Sequence, residues 1–181
     1  MWRTAVHASA LLVPVASEIT SKSVVTVALT AVTVLYVLSE AVRLRGGQVP
    51  LMTWFTMRMR NDSEGARFIV SPLCLAVGII LSLALFPADI AYASISVVAV
   101  GDPAAYYAGE RFGRVTVRGK TLEGFAAGLV ASFLIASLWV SPSLSLVGSL
   151  SGMLLELAGI LNDNLTVPIG AGSMMLLVSI I

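Results

Sequence analysis

The sequence predicts an all-α polytopic membrane protein with about seven transmembrane helices. The chain is 57% hydrophobic and only 12% charged, whereas soluble domains are about half apolar and a quarter charged. Its apolar residues form continuous runs and lack the alternation that a membrane β-barrel requires. The single Cys74 excludes disulfides within the chain and cysteine-rich metal sites. We therefore expect one transmembrane domain over residues 1–181, with no soluble appendage.

Hydropathy divides the chain into seven apolar runs, at residues 5–20, 23–42, 68–86, 90–111, 122–140, 144–161 and 165–181. Residues 1–17 also have features of a signal peptide, namely an Arg-bearing start and a short apolar core, but we expect a span there. Segment 46–60 mixes aromatic residues and Met with Arg, and it predicts a short interfacial helix that begins at Pro50. This helix could be a simple anchor or an entrance for a lipid substrate.

The basic residues indicate the orientation in the cell membrane. With seven spans, ten of the eleven Lys and Arg fall on the face that holds the N-terminus, and only Lys22 falls on the other face. By the positive-inside rule the N-terminus is cytoplasmic and the C-terminus lies outside. The net charge of +1 gives no indication of nucleic-acid binding.

Asp102 lies within an apolar run, and a carboxylate inside a membrane is costly enough to indicate a function. Gly101-Asp102-Pro103 combines a helix breaker with a preferred N-cap and a preferred first helical residue, so we expect the fourth span to break there. Asp102 could cap the new half-helix, bind a metal or act as a general base. Small residues recur at every fourth position: Gly101, Ala105, Gly109 and Gly113. Such a stripe favours close helix packing, or a groove for a lipid chain or a nucleotide.

Segment 113–124, GRVTVRGKTLEG, is not a Walker A phosphate loop, because five residues separate its first two glycines and no strand is expected before it. Lys120 and Thr121 directly precede the fifth span, where helix N-terminal amides favour an anion. Three arginines with charge suited to phosphate lie nearby: Arg111, Arg114 and Arg118. The usual excess of Lys and Arg in cytoplasmic loops would explain this charge, but it would not explain the glycines that flank Lys120.

A further polar segment, Asn162-Asp163-Asn164, lies between the last two spans and could be a plain turn. Glu156 precedes Asp163 by seven residues, so we expect both carboxylates on one helical face. Two pairs spaced four residues apart lie at the same expected face of the membrane: Arg3 with His7, and Arg60 with Glu64. These polar groups would converge on one cytoplasmic layer, although His7 and the Arg60–Glu64 pair could be structural.

Three segments in this order, GDPAAYYAGERFGR, GKTLEG and NDNLTVP, resemble the CTP-dependent lipid kinase superfamily of dolichol (polyprenol) kinases, phytol kinases and CTP-dependent diacylglycerol kinases. Arg3 and His7 resemble its RK-x-x-H, with Thr4 in place of the usual Lys. Residues 38–44 and 60–64 resemble its R-x-x-x-E region. The resemblance covers nearly the whole chain, and the signature of phosphatidate cytidylyltransferases is not found.

The resemblance implies transfer of the γ-phosphoryl group of CTP to the terminal hydroxyl of a membrane isoprenoid alcohol, at the cytoplasmic face. It implies catalytic roles for Asp102, Asp163 and Lys120, with Mg²⁺ bound by the two carboxylates or one of them acting as base. Implied nucleotide-binding residues are Gly101, Arg111, Gly113, Arg114, Gly119, Lys120, Thr121, Glu123, Gly124, Asn162 and Asn164, with Glu123 orienting Lys120. Implied lipid-binding or supporting residues are Arg3, His7, Arg60, Glu64 and Glu156.

Several alternatives stay open at this point. Among acceptors we favour a polyprenol because the chain is minimal and wholly membrane-embedded, and phytol, geranylgeraniol and diacylglycerol are the other candidates. A small lipid transporter or flippase would also use broken helices and intramembrane acids, but the outer face carries only Glu18, Lys22 and Asp89. A structural membrane subunit would leave the polar segments without a role. The glycine stripes could serve internal packing or a homo-oligomer.

Overall fold

The computed structural model describes residues 2–59, 67–159 and 161–181, which are mostly helical. The helices are α1 (Trp2–Ser9), α2 (Leu12–Ile19), α3 (Lys22–Leu44), α4 (Pro50–Met59), α5 (Val70–Leu85), α6 (Ala88–Phe112), α7 (Leu122–Ala136), α8 (Pro142–Ala158) and α9 (Asp163–Ile180). A small antiparallel hairpin, β1 (Thr116–Val117) and β2 (Lys120–Thr121), lies between α6 and α7. The all-α class is confirmed, and the short helix expected to begin at Pro50 is present.

Two helices among the described residues, α3 and α9, are long and apolar enough to cross a membrane. The helices Thr4–Ile19, Val70–Leu85, Leu122–Ala136 and Pro142–Ala158 are apolar but shorter. Seven spans are therefore not supported by helix length and composition. Hydropathic runs overestimate helix length because turns end the helices earlier. Gly159, for example, takes a left-handed conformation with φ 57° and ends α8 within the run at 144–161.

Helix α6 is continuous from Ala88 to Phe112, so the predicted break at Gly101–Pro103 is wrong. Asp102 is consequently a mid-helix residue, and it does not cap a half-helix. A proline inside a helix costs about 3 kcal/mol because it removes a hydrogen bond and crowds the preceding turn. Here α6 is the central element and packs against α1, α2, α5, α7, α8 and α9. Its residues 90–99 are all buried, and this packing outweighs the local preference for a break.

The small-residue stripe on α6 packs against glycines of α7. A Cβ atom added to Gly124 would lie 2.6 Å from the Ala105 carbonyl oxygen, and one added to Gly128 would lie 2.9 Å from that of Gly101. The two backbones thus approach closely, as stripes of small residues allow. Helix α7 fills this groove, so it leaves no room there for a lipid chain or a nucleotide.

Candidate functional site

Lys120 lies at the centre of a partly buried ionic cluster. Its Nζ is 2.6 Å from Asp163 Oδ2 and 3.3 Å from Glu156 Oε1. The Glu156 side chain is only 8% exposed, whereas Asp163 is 25% and Lys120 is 31% exposed. Because an unpaired buried carboxylate is costly, the ammonium group is the charge that allows both carboxylates to lie at this depth.

The hairpin places Lys120 in this cluster. Val117 pairs with Lys120 across a two-residue turn, Arg118-Gly119, in which both residues have positive φ, 50° and 82°. Such backbone angles are typical of tight hairpin turns and suit glycine better than arginine. Arg118 Nη1 also donates to the Ala158 carbonyl oxygen at 2.9 Å, at the C-terminal end of α8. Arg118 therefore fastens the hairpin to α8. Helix α6 precedes segment 113–124, as the rejection of a Walker A loop expects, and the short strands β1 and β2 lie within the segment.

Thr121 and Glu123 shape the entry into α7. Thr121 Oγ1 accepts a hydrogen bond from the Gly124 amide at 3.1 Å, so Thr121 is the N-cap of α7. Glu123 Oε2 accepts from the Val115 amide at 3.4 Å, across the base of the hairpin. The prediction that Glu123 orients Lys120 is therefore wrong: Glu123 supports the backbone of the hairpin that carries Lys120.

Glu156 and Asp163 lie on different helices, because α8 ends at Ala158 and α9 begins at Asp163. The prediction that they share one helical face is wrong, although both carboxylates contact Lys120 and so lie close together. Asn162 is exposed, and its Oδ1 accepts from the Asn164 amide at 3.2 Å, so it caps α9. The short connection after α8 thus places the Asp163 carboxylate beside the end of that helix.

Asn164 is buried and holds α9 against the start of α5. Its Nδ2 donates to the Ser71 carbonyl oxygen at 3.1 Å and to Ser71 Oγ at 2.8 Å. The side-chain amide is thus engaged in a contact between helices. Asn164 positions its neighbour Asp163, and this contact uses the donors with which the amide would bind a nucleotide.

His7 and Asp102 form a second polar contact, between α1 and α6. His7 Nδ1 lies 3.1 Å from Asp102 Oδ2, and the two side chains are 4% and 35% exposed. Asp102 is also close enough to Glu156 for their negative charges to repel each other. The negative charges of Asp102 and Asp163, the two predicted catalytic carboxylates, therefore both act on Glu156. Of the other supporting residues, the Arg3 side chain and all of Arg60 and Glu64 lie outside the described residues.

Arg111 and Arg114 are exposed where α6 ends. The guanidinium of Arg111 lies 5.8 Å from the ring centroid of Phe112, and neither arginine forms a salt bridge within the described ranges. Both are therefore available to an external anion.

The predicted nucleotide-binding glycines have structural roles. Gly101 and Gly124 allow α6, α7 and α8 to pack closely, since a Cβ atom on Gly101 would lie 2.8 Å from Met153 Sδ. Gly113 follows α6 as its C-cap and lies against Thr121. Gly119 provides the positive φ of the hairpin turn. The glycines that flank Lys120 are thus explained by packing and turn geometry.

Glu40 is a buried polar residue to which the sequence assigned no role of its own. Its carboxylate accepts from Arg43 at 2.7 and 2.8 Å and from the Ile69 amide at 3.1 Å. Arg43 also donates to the Arg67 carbonyl oxygen at 2.8 Å. This network fixes the start of α5, and with it Ser71. The spacing of Glu40 and Arg43, three residues apart on α3, could have predicted this ion pair from the sequence.

A divalent cation fits the site only through a small number of protein ligands. Among the residues that the structure describes, no group of three or more His, Cys, Asp or Glu side chains is placed to hold a metal ion. Mg²⁺, however, needs only one or two carboxylates when phosphates and water complete its shell. Asp163 Oδ1 is buried and accepts no hydrogen bond in the described chain. Asp163 therefore retains a hard oxygen ligand that suits such a cation.

Comparison with known proteins identifies no relative: no protein-family model, curated protein or solved structure matches this chain. Its function has to be inferred from its residues and their geometry.

Proposed function

We propose that the protein is a multi-pass membrane enzyme that transfers the γ-phosphoryl group of CTP to the terminal hydroxyl of a polyprenol. The observation that carries this proposal is the convergence of distant segments on one site. Lys120 of the second resembling segment contacts Asp163 of the third and Glu156. Asp102 of the first segment lies near enough to Glu156 for their charges to interact. Phosphoryl transfer requires this combination of a cation for phosphates and carboxylates for a metal and a proton.

The distribution of side chains supports a membrane location. Large apolar residues are exposed on several helices, for example Val27 at 70%, Leu134 at 62% and Leu177 at 55%. Glu40 and Glu156, in contrast, are buried, together with many serines. An apolar surface around a core of small and polar residues is typical of helices that face lipid. We extend the two helices of spanning length to a multi-pass bundle on this basis, with the site at its cytoplasmic end.

The basic groups are arranged to receive a polyphosphate. Arg111 and Arg114 are exposed next to the hairpin, and Lys120 is reached through it. Helix α7 begins directly after Thr121, so the positive end of its dipole points towards the same region. A triphosphate would share the Lys120 ammonium, which has three N–H donors, with Asp163 and Glu156. The donor CTP itself is proposed from the resemblance to the lipid kinases.

The reaction balances with the residues at hand. The oxygen of the lipid hydroxyl forms a bond to the γ-phosphorus, the bond between that phosphorus and the β,γ-bridging oxygen breaks, and CDP leaves with the electron pair. Asp102, which is partly exposed, accepts the hydroxyl proton as general base. Mg²⁺ held by Asp163 would neutralise charge on the transferring phosphates. Lys120 keeps the phosphates and the Asp163 carboxylate in contact.

One of the two arguments for a transporter no longer holds. The transporter alternative depended in part on a broken fourth helix, and α6 is continuous. Rigid-body gating of half-helices is therefore not suggested by this fold, and the kinase is the one function that we propose.

The test uses the full chain, purified in detergent with Mg²⁺ and γ-labelled CTP. Polyprenol, phytol and diacylglycerol are offered side by side, with ATP as the donor control. We expect label in polyprenol and a loss of about 100-fold or more in Asp102→Asn, because the proton acceptor is removed. Asp89→Asn is the matched control, since Asp89 is exposed at the opposite end of α6 and should retain wild-type activity. No label from folded protein, or equal activity of the two variants, would refute the proposal.

A further inference from the structure

We propose that His7 is the positioning residue of the reaction: it holds one oxygen of Asp102 and thereby directs the other towards the lipid hydroxyl. This inference depends on the proposed kinase function and deepens it. The two residues are 95 positions apart in the chain, yet His7 Nδ1 lies 3.1 Å from Asp102 Oδ2. Local sequence gives no reason for this contact, so the packing of α1 against α6 creates it.

Burial separates the roles of the two side chains. His7 is 4% exposed, so it has no open face towards a substrate, whereas Asp102 is 35% exposed. The imidazole therefore lies behind the carboxylate and acts on the reaction only through it. The contact of the imidazole with Oδ2 at 3.1 Å restricts the rotamer of Asp102 and leaves Oδ1 as the atom that receives the hydroxyl proton.

Both partners stand on packed helices. Asp102 follows the buried stretch 90–99 of α6, and His7 lies on α1 three residues before Ala10, which is itself part of the hydrophobic core. A catalytic group that is held by a buried partner on a rigid element retains its geometry between turnovers. Continuity of α6 matters here, because a broken helix would leave Asp102 at a flexible end.

The surroundings of Asp102 and Asp163 suit two different roles in the reaction. Asp163 is held by Lys120 at Oδ2 and keeps a buried Oδ1 without a hydrogen bond in the described residues, which suits the phosphate and cation side of the site. Asp102 is held by an imidazole and is the more exposed of the two, which suits contact with the lipid hydroxyl. The geometry thus points to Asp102 as base and Asp163 as ligand.

The first experiment compares His7→Leu, His7→Asn and Ser9→Ala in the labelled-CTP assay with the full chain. Leucine removes the polar contact, whereas the side-chain amide of asparagine keeps an N–H group near the position of Nδ1. We expect His7→Leu to lower kcat by about ten- to a hundredfold with the KM for CTP unchanged, and His7→Asn to recover a large part of that loss. Ser9, exposed on the same helix, is the control and should keep wild-type kcat. Equal losses in the two His7 variants, or a change confined to KM, would overturn the inference.

The second experiment measures the pair without catalysis. Melting temperatures are determined for wild type, His7→Leu, Asp102→Asn and the double variant. If the two side chains interact, the melting temperature of the double variant falls by less than the sum of the two single decreases. Additive decreases would overturn this inference but not the proposed function. A wild-type protein that is inactive with every donor and acceptor would overturn the proposed function, and with it the catalytic role of His7.

Discussion

Replacement of Lys120 by methionine tests the ionic cluster most directly. The substitution preserves much of the length of the side chain but removes the ammonium group that contacts Asp163 and Glu156. Two carboxylates then remain near each other without a cation between them, and Glu156 is almost fully buried. We therefore expect the folded state to lose stability.

The magnitude follows from the geometry. A hydrogen bond that involves a charged group contributes about 1.5–3 kcal/mol, and the 2.6 Å contact to Asp163 is of this kind. Breaking a fully buried ion pair costs about 3–5 kcal/mol, but Lys120 is 31% exposed, so solvent screens part of the loss. We expect Lys120→Met to cost about 2–3 kcal/mol, which lowers the melting temperature of a chain of this size by roughly 4–12 °C.

The assay is thermal unfolding in detergent, followed by tryptophan fluorescence. Arg45→Met is the matched control, because Arg45 is exposed and its loss should shift the transition little. Adding Glu156→Gln to Lys120→Met removes one of the unpaired carboxylates and should recover part of the lost stability. A Lys120→Met protein as stable as wild type, or a double variant with no recovery, would show that the cluster does not carry the charge balance described above.

Two further substitutions test the packing and the far end of the bundle. Gly128→Val should destabilise by about 1–3 kcal/mol, since an added Cβ meets the Gly101 carbonyl oxygen at 2.9 Å; the exposed Ala126→Val on α7 is the control, and equal melting temperatures would contradict the close packing. Lys22→Met should cost about 1–2 kcal/mol, because Lys22 Nζ donates to the Phe86 carbonyl oxygen at the end of α5, at 2.8 Å. Lys22→Arg should retain much of this stability, and a neutral Lys22→Met would show that this contact does not stabilise the fold.

The sequence by itself predicted the features that depend on neighbouring residues. The helical class follows from continuous apolar runs, and the starts of α4 at Pro50 and of α7 after Thr121 follow from local capping preferences. The small-residue stripe on α6 likewise predicted a close contact with another helix. The residues of the site could be chosen because charged groups are rare in this chain, and the few that lie near apolar runs stand out.

Only the tertiary structure decided which of these residues meet. Local preferences at Gly101-Asp102-Pro103 favour a break worth a few kcal/mol, but the packing of α6 through its buried residues 90–99 outweighs them and keeps Asp102 in mid-helix. The partners of Lys120, the contact of His7 with Asp102 and the bond from Asn164 to Ser71 all join distant positions. Residue spacing predicts which side chains meet within one helix or one turn, but not which meet between helices. Contacts between helices depend on how all of them pack, and this packing decides which charges neutralise each other.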